Sequence, residues 1–522
     1  AETATVIAAK RRKSRRRRRF LPLAQPASPP LMMRTTVARC LGALLLAAPI
    51  ASLAQSEEDA LRFSEIVPGG SARSWGLAGA FGAVGADPGS ASVNPAGMGL
   101  YNNSEISLTS VLELRTTKST FYGTSGTADE ARFAMNNFTL ALNYPKPGHD
   151  WRGGTFGISY DRHASFHSTT TVVAPDVPST LLQRFVNEAD GTSYTDLEAD
   201  VFPFTSTLAW FTYGIDTVPG AVDQYAPGIP FGSPVTQEHR VDAGGRVNNT
   251  SFFYANNWMD RVYVGASLGL VGMRYSRTTF HKETSQDQDV DLERMSYQED
   301  LLTTGNGIDL KLGVIGRVGD QVRLGASFHS PMWMLMNDSY SYEMRTSFRS
   351  GDGYSESSPE GTFSYRINTP WRAVASAVYQ AGRHGLVSVD YTYADMRQAR
   401  MRPSRQLVDE YDFALENEAI KQRFRATHGV RVGTEWRSGR WYFRGGWAFR
   451  GDPFKASDPR QGTALRQYSG GLGNRTDHLS LDLAGVYSTR DAMYQPYSAD
   501  LVQPMQQALT DLRTFFTIAL RP

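Results

Sequence analysis

The chain holds one cysteine in 522 residues, Cys40, so it has no disulfide, no cysteine metal site and no thiol chemistry. Beyond residue 54 no apolar run approaches the ~18 residues of a membrane-spanning helix, and the mean hydropathy is −0.37. Catalytic signatures are also missing. There is no Gly-x-Ser-x-Gly elbow, and acidic pairs such as Glu57-Glu58 read as solvated charge. His163 and His167 sit four apart in a strand-like stretch, too far to share a metal ion. The sequence therefore predicts no enzyme, no metal and no cofactor.

Net charge is +2 for the whole chain, but it is unevenly placed. Residues 1–55 contain 11 of the 54 Lys+Arg and one of the 52 Asp+Glu, which leaves the rest at −8. An acidic body argues against a nucleic-acid partner, despite the basic run Arg15 to Arg19. Met32 or Met33 begins a secretion signal over 32–54: Arg34 and Arg39 are its basic region, Cys40 to Ile50 its apolar stretch, and Ser52-Leu53-Ala54 its cleavage site. Residues 1–31 then read as an upstream extension, and the mature chain begins near Gln55.

Within residues 55–103, the stretch from Glu65 to Leu100 is rich in Gly, Pro and small side chains and largely uncharged, with only Arg73 and Asp87 between Gly70 and Tyr101, which excludes long helices and long central strands. The sequence predicts a compact, non-helical plug. From residue 104 to 522 the pattern changes to period-two alternation. Phe138, Leu140, Leu142 and Tyr144 share one face against Thr139, Ala141 and Asn143; Ile308, Leu310, Leu312 and Val314 oppose Asp309, Lys311 and Gly313. About fourteen such segments are joined alternately by tight turns, such as Met259-Asp260 and Ser438-Gly439, and by long polar loops. Tyr144, Trp151, Trp258, Tyr379, Trp436 and Trp441 cluster beside the tight turns as an interfacial girdle. The fold class is all-β: a transmembrane antiparallel β-barrel in the bacterial outer membrane, its N-terminus folded into the lumen as a hatch. Inward charges such as Asp161, Asp309, Lys311, Arg323, Asp390, Arg431, Glu435, Arg444 and Asp482 are expected to pair with each other and with that hatch.

The loop 175–237 is too long to be structureless, and it predicts two helices, near 179–189 and 204–215. A further helical insert is expected at 412–423. Leu208, Trp210, Phe211 and Tyr213 on the loop, with Met332, Trp333 and Met334 on the outer part of strand seven, are candidates for an apolar ligand groove.

The hatch stretch Ser71-Ala72-Arg73-Ser74-Trp75-Gly76, followed by Asp87 and Asn94-Pro95-Ala96, resembles the N-terminal hatch of the FadL/TodX outer membrane transport family. Leu208 to Asp216 and Gly325 to Pro331 are similar to that family's Bacteroidetes-type branch. The resemblance implies passive uptake of hydrophobic compounds, long-chain fatty acids or hydrocarbons, by a monomer that releases its ligand sideways into the lipid. It implies gating by Asn94, Pro95, Ala96 and Gly97 beside a third strand distorted at Gly153, Gly154 or Gly157. Replacing Asn94-Pro95-Ala96 by larger residues is then expected to impair ligand exit. The same branch also leaves open a secretion-complex barrel binding a protein partner, or a haemin receptor using His163, His167, His281 or His329. The terminal Thr514 to Pro522 departs from the pattern in lacking a final aromatic residue.

Fractionation tests the architecture. The protein should partition with outer membranes and migrate faster unheated than boiled; extraction as a soluble periplasmic protein contradicts the barrel.

Overall fold

The computed structural model describes residues 56–404 and 411–522. The basic extension and the signal segment expected over residues 1–54 lie outside the described residues. Fourteen antiparallel wall strands form a closed barrel. The first two are β1 (Glu105–Phe121) and β2 (Thr124–Pro145). The third is broken into β3 (Trp151–Ser165) and β4 (Ser168–Val177). After a loop hairpin, β5 (Ile215–Thr217) and β6 (Tyr225–Pro227), come wall strands four to six: β7 (Val235–Trp258), β8 (Val262–Ser285) and β9 (Leu292–Val318). The seventh is β10 (Val322–His329) with β11 (Trp333–Phe348), followed by the short loop strand β12 (Gly353–Ser357). The eighth is β13 (Gly361–Asn368) with β14 (Arg372–Ala381), and the ninth is β15 (Gly385–Asp395) with β16 (Arg400–Pro403). Strands ten to fourteen are β17 (Ala426–Ser438), β18 (Trp441–Arg450), β19 (Leu465–Arg475), β20 (Leu479–Tyr494) and β21 (Met505–Leu520). Closure runs from Ile106 opposite Leu520 to Thr120 opposite Gln506, so neither the first nor the last wall strand is left as an edge of the sheet.

Alternation places Leu268, Leu270, Ile308, Leu312 and Val314 outward, while Ser267, Asp309 and Lys311 are buried in the lumen. Trp151, Trp258, Tyr379, Trp436 and Trp441 are exposed beside the short turns, as a membrane-interface girdle requires. Strands seven and eight are not continuous as the alternation predicted. Pro331 and Pro370 interrupt them, because proline has no N–H to give to the ladder.

The plug also differs from expectation: it is built of short helical pieces. These are α1 (Glu57–Ser64), α2 (Ala72–Gly76), α3 (Gly89–Val93) and a 3-10 turn (Pro95–Leu100). Local caps explain them. Ser56 and Asp59 form a reciprocal capping box at α1, and Ser71 accepts from Ser74 N at α2. Over the long loop, α4 (Leu182–Ala189), α5 (Tyr194–Glu198) and α6 (Ser206–Phe211) pack with β5 and β6 into an outer lid, while α7 (Ala414–Arg423) forms the second insert.

The hatch is tied to the wall by charge. Arg73 makes two 2.8 Å bonds to Glu435, and Arg444 bonds both Glu435 (2.7 Å) and Asp482 (2.6 Å). Asp390 accepts from Phe81 N and Gly82 N at 2.8 and 2.9 Å, and Lys311 pairs with Asp309 at 2.9 Å. Buried ions persist only when each charge is matched and each donor bonded. Glu435→Gln leaves Arg73 and Arg444 sharing a neutral partner, with an expected loss of about 3 kcal/mol in hatch seating. New protease cleavage between residues 57 and 100, with the barrel still folded, would report it.

Candidate functional site: a seam in the wall and the chamber behind it

Wall strand three pairs with strand two only from Pro145 opposite Gly153 to Asn137 opposite Asp161. Above that point the outer half of β2 bonds only to β1, and β4 bonds only to β7. The result is a seam between strands two and three. Its cause lies in two irregularities of β3. Near the short turn the register against β7 shifts between Trp151 and Gly154, where Gly153 takes φ 102°, a conformation that glycine alone adopts readily. Higher up, the register shifts again between Arg162 and Ala164, which makes His163 the extra residue of a bulge. The chain then turns at Phe166-His167, and β4 is drawn in behind the β1–β2 hairpin. Arg115 of β1 donates to His167 O at 2.7 Å, Gln507 of β21 donates to Thr170 Oγ1 at 2.9 Å, and a Cβ at Gly126 of β2 would overlap Thr171 O.

The hatch fills the seam from inside. Val67 N donates to His163 O at 2.9 Å, and His163 Nδ1 lies 3.1 Å from Val67 O. Asn136 Nδ2 donates to Gly70 O at 2.8 Å, and Gly69 packs so closely on Asp161 that a Cβ there would overlap its carboxylate.

Behind this segment lies a chamber of about 260 Å³. Val67, Trp75, His163 and Phe166 give it apolar walls, and Arg62, Arg115, Arg162, Arg450, Arg490 and Arg513 outnumber Glu65, Glu113 and Asp511 around it. Glu65 holds Arg450 and Arg490 at 3.0 and 2.9 Å. Burial would raise its carboxyl, yet the two guanidiniums hold it below the usual range. Arg513 lies 4.7 Å over the Trp75 ring, and its Nε, with Arg162 Nε and Nη1, has no hydrogen-bond partner among the described residues. Glu113, Arg115, Ser165, Asp511 and Arg513 continue into a crevice in the seam, with Glu130, Arg132 and His167 at its mouth. Phe133, 73% exposed, adjoins that mouth on the outer face of β2.

The residues singled out from the sequence do not converge on one spot. Asn94, Pro95 and Ala96 abut β8, β9 and β10 rather than β3. Asn94 Nδ2 donates to Gly82 O (2.7 Å) and Val314 O (3.3 Å), Pro95 packs on Gly265, and a Cβ at Gly313 would overlap Asn94 Oδ1. Gly97 turns back within the hatch, accepting from Ala86 N at 3.0 Å. Nearby Asp87 is pushed up to about 6 by burial, against the pull of Arg73. Of the three strand-three glycines, Gly153 makes the lower distortion, whereas Gly154 and Gly157 remain in regular pairing.

Leu208 and Trp210 are buried in the lid core, Tyr213 lies 4.6 Å from the Tyr354 ring, and Phe211 is exposed. Met332 and Met334 join a separate luminal cluster with Met336, Phe63 and Tyr365, while Trp333 points the other way, 44% exposed on the lipid side. Period two dictates that split, since neighbours on a strand face opposite ways. The histidines suggested for haem are dispersed: His163 bonds Val67 O, His329 Nε2 lies 2.9 Å from Val93 O, and His281 bonds Glu283. The described residues hold no group of three or more metal-ligating side chains.

Sequence reasoning missed Val67, Gly69, Gly70 and Asn136 as seam residues, and it considered His163 only as a metal or haem ligand, not as a bulge. A signal existed, because Asp161-Arg162-His163 is three polar residues in succession, a break in strict alternation.

No family model and no curated protein matches the chain. Solved structures do. A FadL homologue from Pseudomonas aeruginosa superposes with a TM-score of 0.53 at 14% identity, over 87% of this chain and 98% of that one. The toluene transporter TodX of P. putida superposes with a TM-score of 0.50 at 10% identity, over 87% and 99%. At such identities the likeness is one of fold. The chain has the FadL/TodX-type fold, a closed antiparallel barrel with a hatch in its lumen.

Proposed function

We propose that the protein carries hydrophobic small molecules passively across the outer membrane and releases them sideways through the seam between wall strands two and three. The observation that carries this reading is the continuity of the chamber with the seam crevice, through five shared residues. Passive passage needs a binding site and a path; the chamber supports the first, and the crevice of about 10 Å³ that leads from it into the seam marks where the second would open. The TodX barrel is described as a toluene transporter, which supports the same class of cargo. Six arginines against three carboxylates around the chamber favour an acidic amphiphile, such as a long-chain fatty acid, over a neutral hydrocarbon. In this reading the gate is Val67–Gly70 with the His163 bulge, and the Asn94-Pro95-Ala96 elbow seats the hatch on the far wall.

Cysteines placed at Glu130 and His167, whose side chains approach to 3.6 Å across the mouth, allow the seam to be stapled. A short, cleavable thiol cross-linker should reduce fatty-acid uptake to background, and cleaving it should restore uptake. Undiminished uptake by the fully cross-linked protein overturns the lateral route.

Arg162→Gln separates cargo classes: the half-saturating concentration for a fatty acid should rise about tenfold with loss of one charge-assisted bond, while toluene entry is unchanged. Deleting residues 175–237 tests the partner-binding alternative, which would show lost secretion with intact uptake.

A further inference from the structure

We propose that a cleft on the lipid-facing side of wall strands four to six is a binding site for the phosphate of an outer-leaflet glycolipid. The cleft measures about 230 Å³ and is lined by Arg246, Asn248, Gly272, Arg274, Thr304 and Asn306. Register explains its shape. Arg246 on β7 stands directly opposite Arg274 on β8, which in turn faces Thr304 on β9. One pair lower, Asn248 faces Gly272, which faces Asn306. Gly272 leaves the centre of the cleft without a side chain, and a Cβ there would touch nothing within 4 Å.

Two exposed arginines directly opposite each other repel, and cross-strand like charges destabilise a sheet. Neither guanidinium makes an ion pair or a hydrogen bond with the described residues. The acidic groups on the same stretch are already engaged: Asp242 bonds Arg240 at 2.7 Å, and Asp300 accepts from Thr278 Oγ1 at 2.6 Å. The arrangement therefore calls for an external anion. Two forked guanidiniums with flanking amide and hydroxyl groups suit a phosphate, whose oxygens accept in pairs.

Position selects the source of that phosphate. Leu268, Leu270, Ile308 and Phe252 lie directly below on the same outward face, exposed to lipid. Arg274 is twelve residues along β8 from Val262, and at about 3.3 Å per residue with a strand tilt near 40° this places it roughly 30 Å above the short turns. That height is the outer edge of an apolar band of ~25 Å. A phosphorylated lipid with its acyl chains along Leu268 and Leu270 would bring its headgroup to the two arginines. The site faces away from the lumen and does not depend on the transport reading.

Native mass spectrometry of the detergent-solubilised barrel tests it, with bis-phosphorylated lipid A, the same lipid stripped of phosphate, and inorganic phosphate as probes. The wild type should retain the phosphorylated lipid in preference to the stripped one, and excess inorganic phosphate should not displace it. Arg246→Gln with Arg274→Gln should lower retention about tenfold, while the double lysine variant keeps most of it. Heat-modifiability of each variant verifies folding, and the single Arg274→Gln protein serves if the double variant does not fold. Equal retention by the wild type and the glutamine variant, equal retention of the stripped lipid, or ready displacement by inorganic phosphate overturns the proposal.

Discussion

A backbone amide inside hydrocarbon has no water to bond, and this one constraint organises the molecule. It requires a wall whose strands all find neighbours, and β21 meets β1 along fifteen consecutive residue pairs to provide it. It also defines what an interruption needs. Where β3 leaves β2, the hatch supplies partners on both sides: Val67 bonds His163 in the bulge of β3, and Gly70 O accepts from Asn136 Nδ2 of β2. The seam and the plug are thus two parts of one solution: an opening in the ladder exists only because another segment of the same chain lies against it.

The same logic governs charge in the lumen. Glu435, Asp390 and Asp482 do not hydrate a conduit; they hold Arg73, Arg444 and the amides of Phe81 and Gly82. Some guanidinium donors are left over: Arg162 Nε and Nη1 and Arg513 Nε around the chamber, and Arg444 Nη2 in the hatch network, have no hydrogen-bond partner among the described residues. The lumen thus has most of its ions matched and a few donors left over.

The barrel was legible in the sequence because period two is a property of the covalent chain: the outward row Ile308, Leu310, Leu312 and Val314 is readable without knowing its neighbours. Proline at 331 and 370 marked where strands break, although the alternation on either side hid it. The conformation of the hatch was not legible, since helices of five to eight residues are set by caps such as Ser71 rather than by any repeating pattern. The site was the least legible. Whether Asn94 faces strand three or strands five to seven depends on the path of the hatch through the lumen, and no local spacing encodes that. Met332 and Trp333, neighbours in the chain, separate to opposite faces for the same reason that made the barrel recognisable.

One bond of the hatch has a bearing on how the molecule is made. Ala72 N donates to Thr517 Oγ1 at 2.7 Å across 445 residues of sequence, in the strand that closes the wall. The hatch is therefore seated in part by a strand far from it in the chain. Contacts of such separation form slowly, because loop-closure entropy must be met before they contribute any stability. Until β21 is in place, Ala72 N lacks this partner. Closing the wall and seating the hatch are in consequence coupled, because the same strand takes part in both.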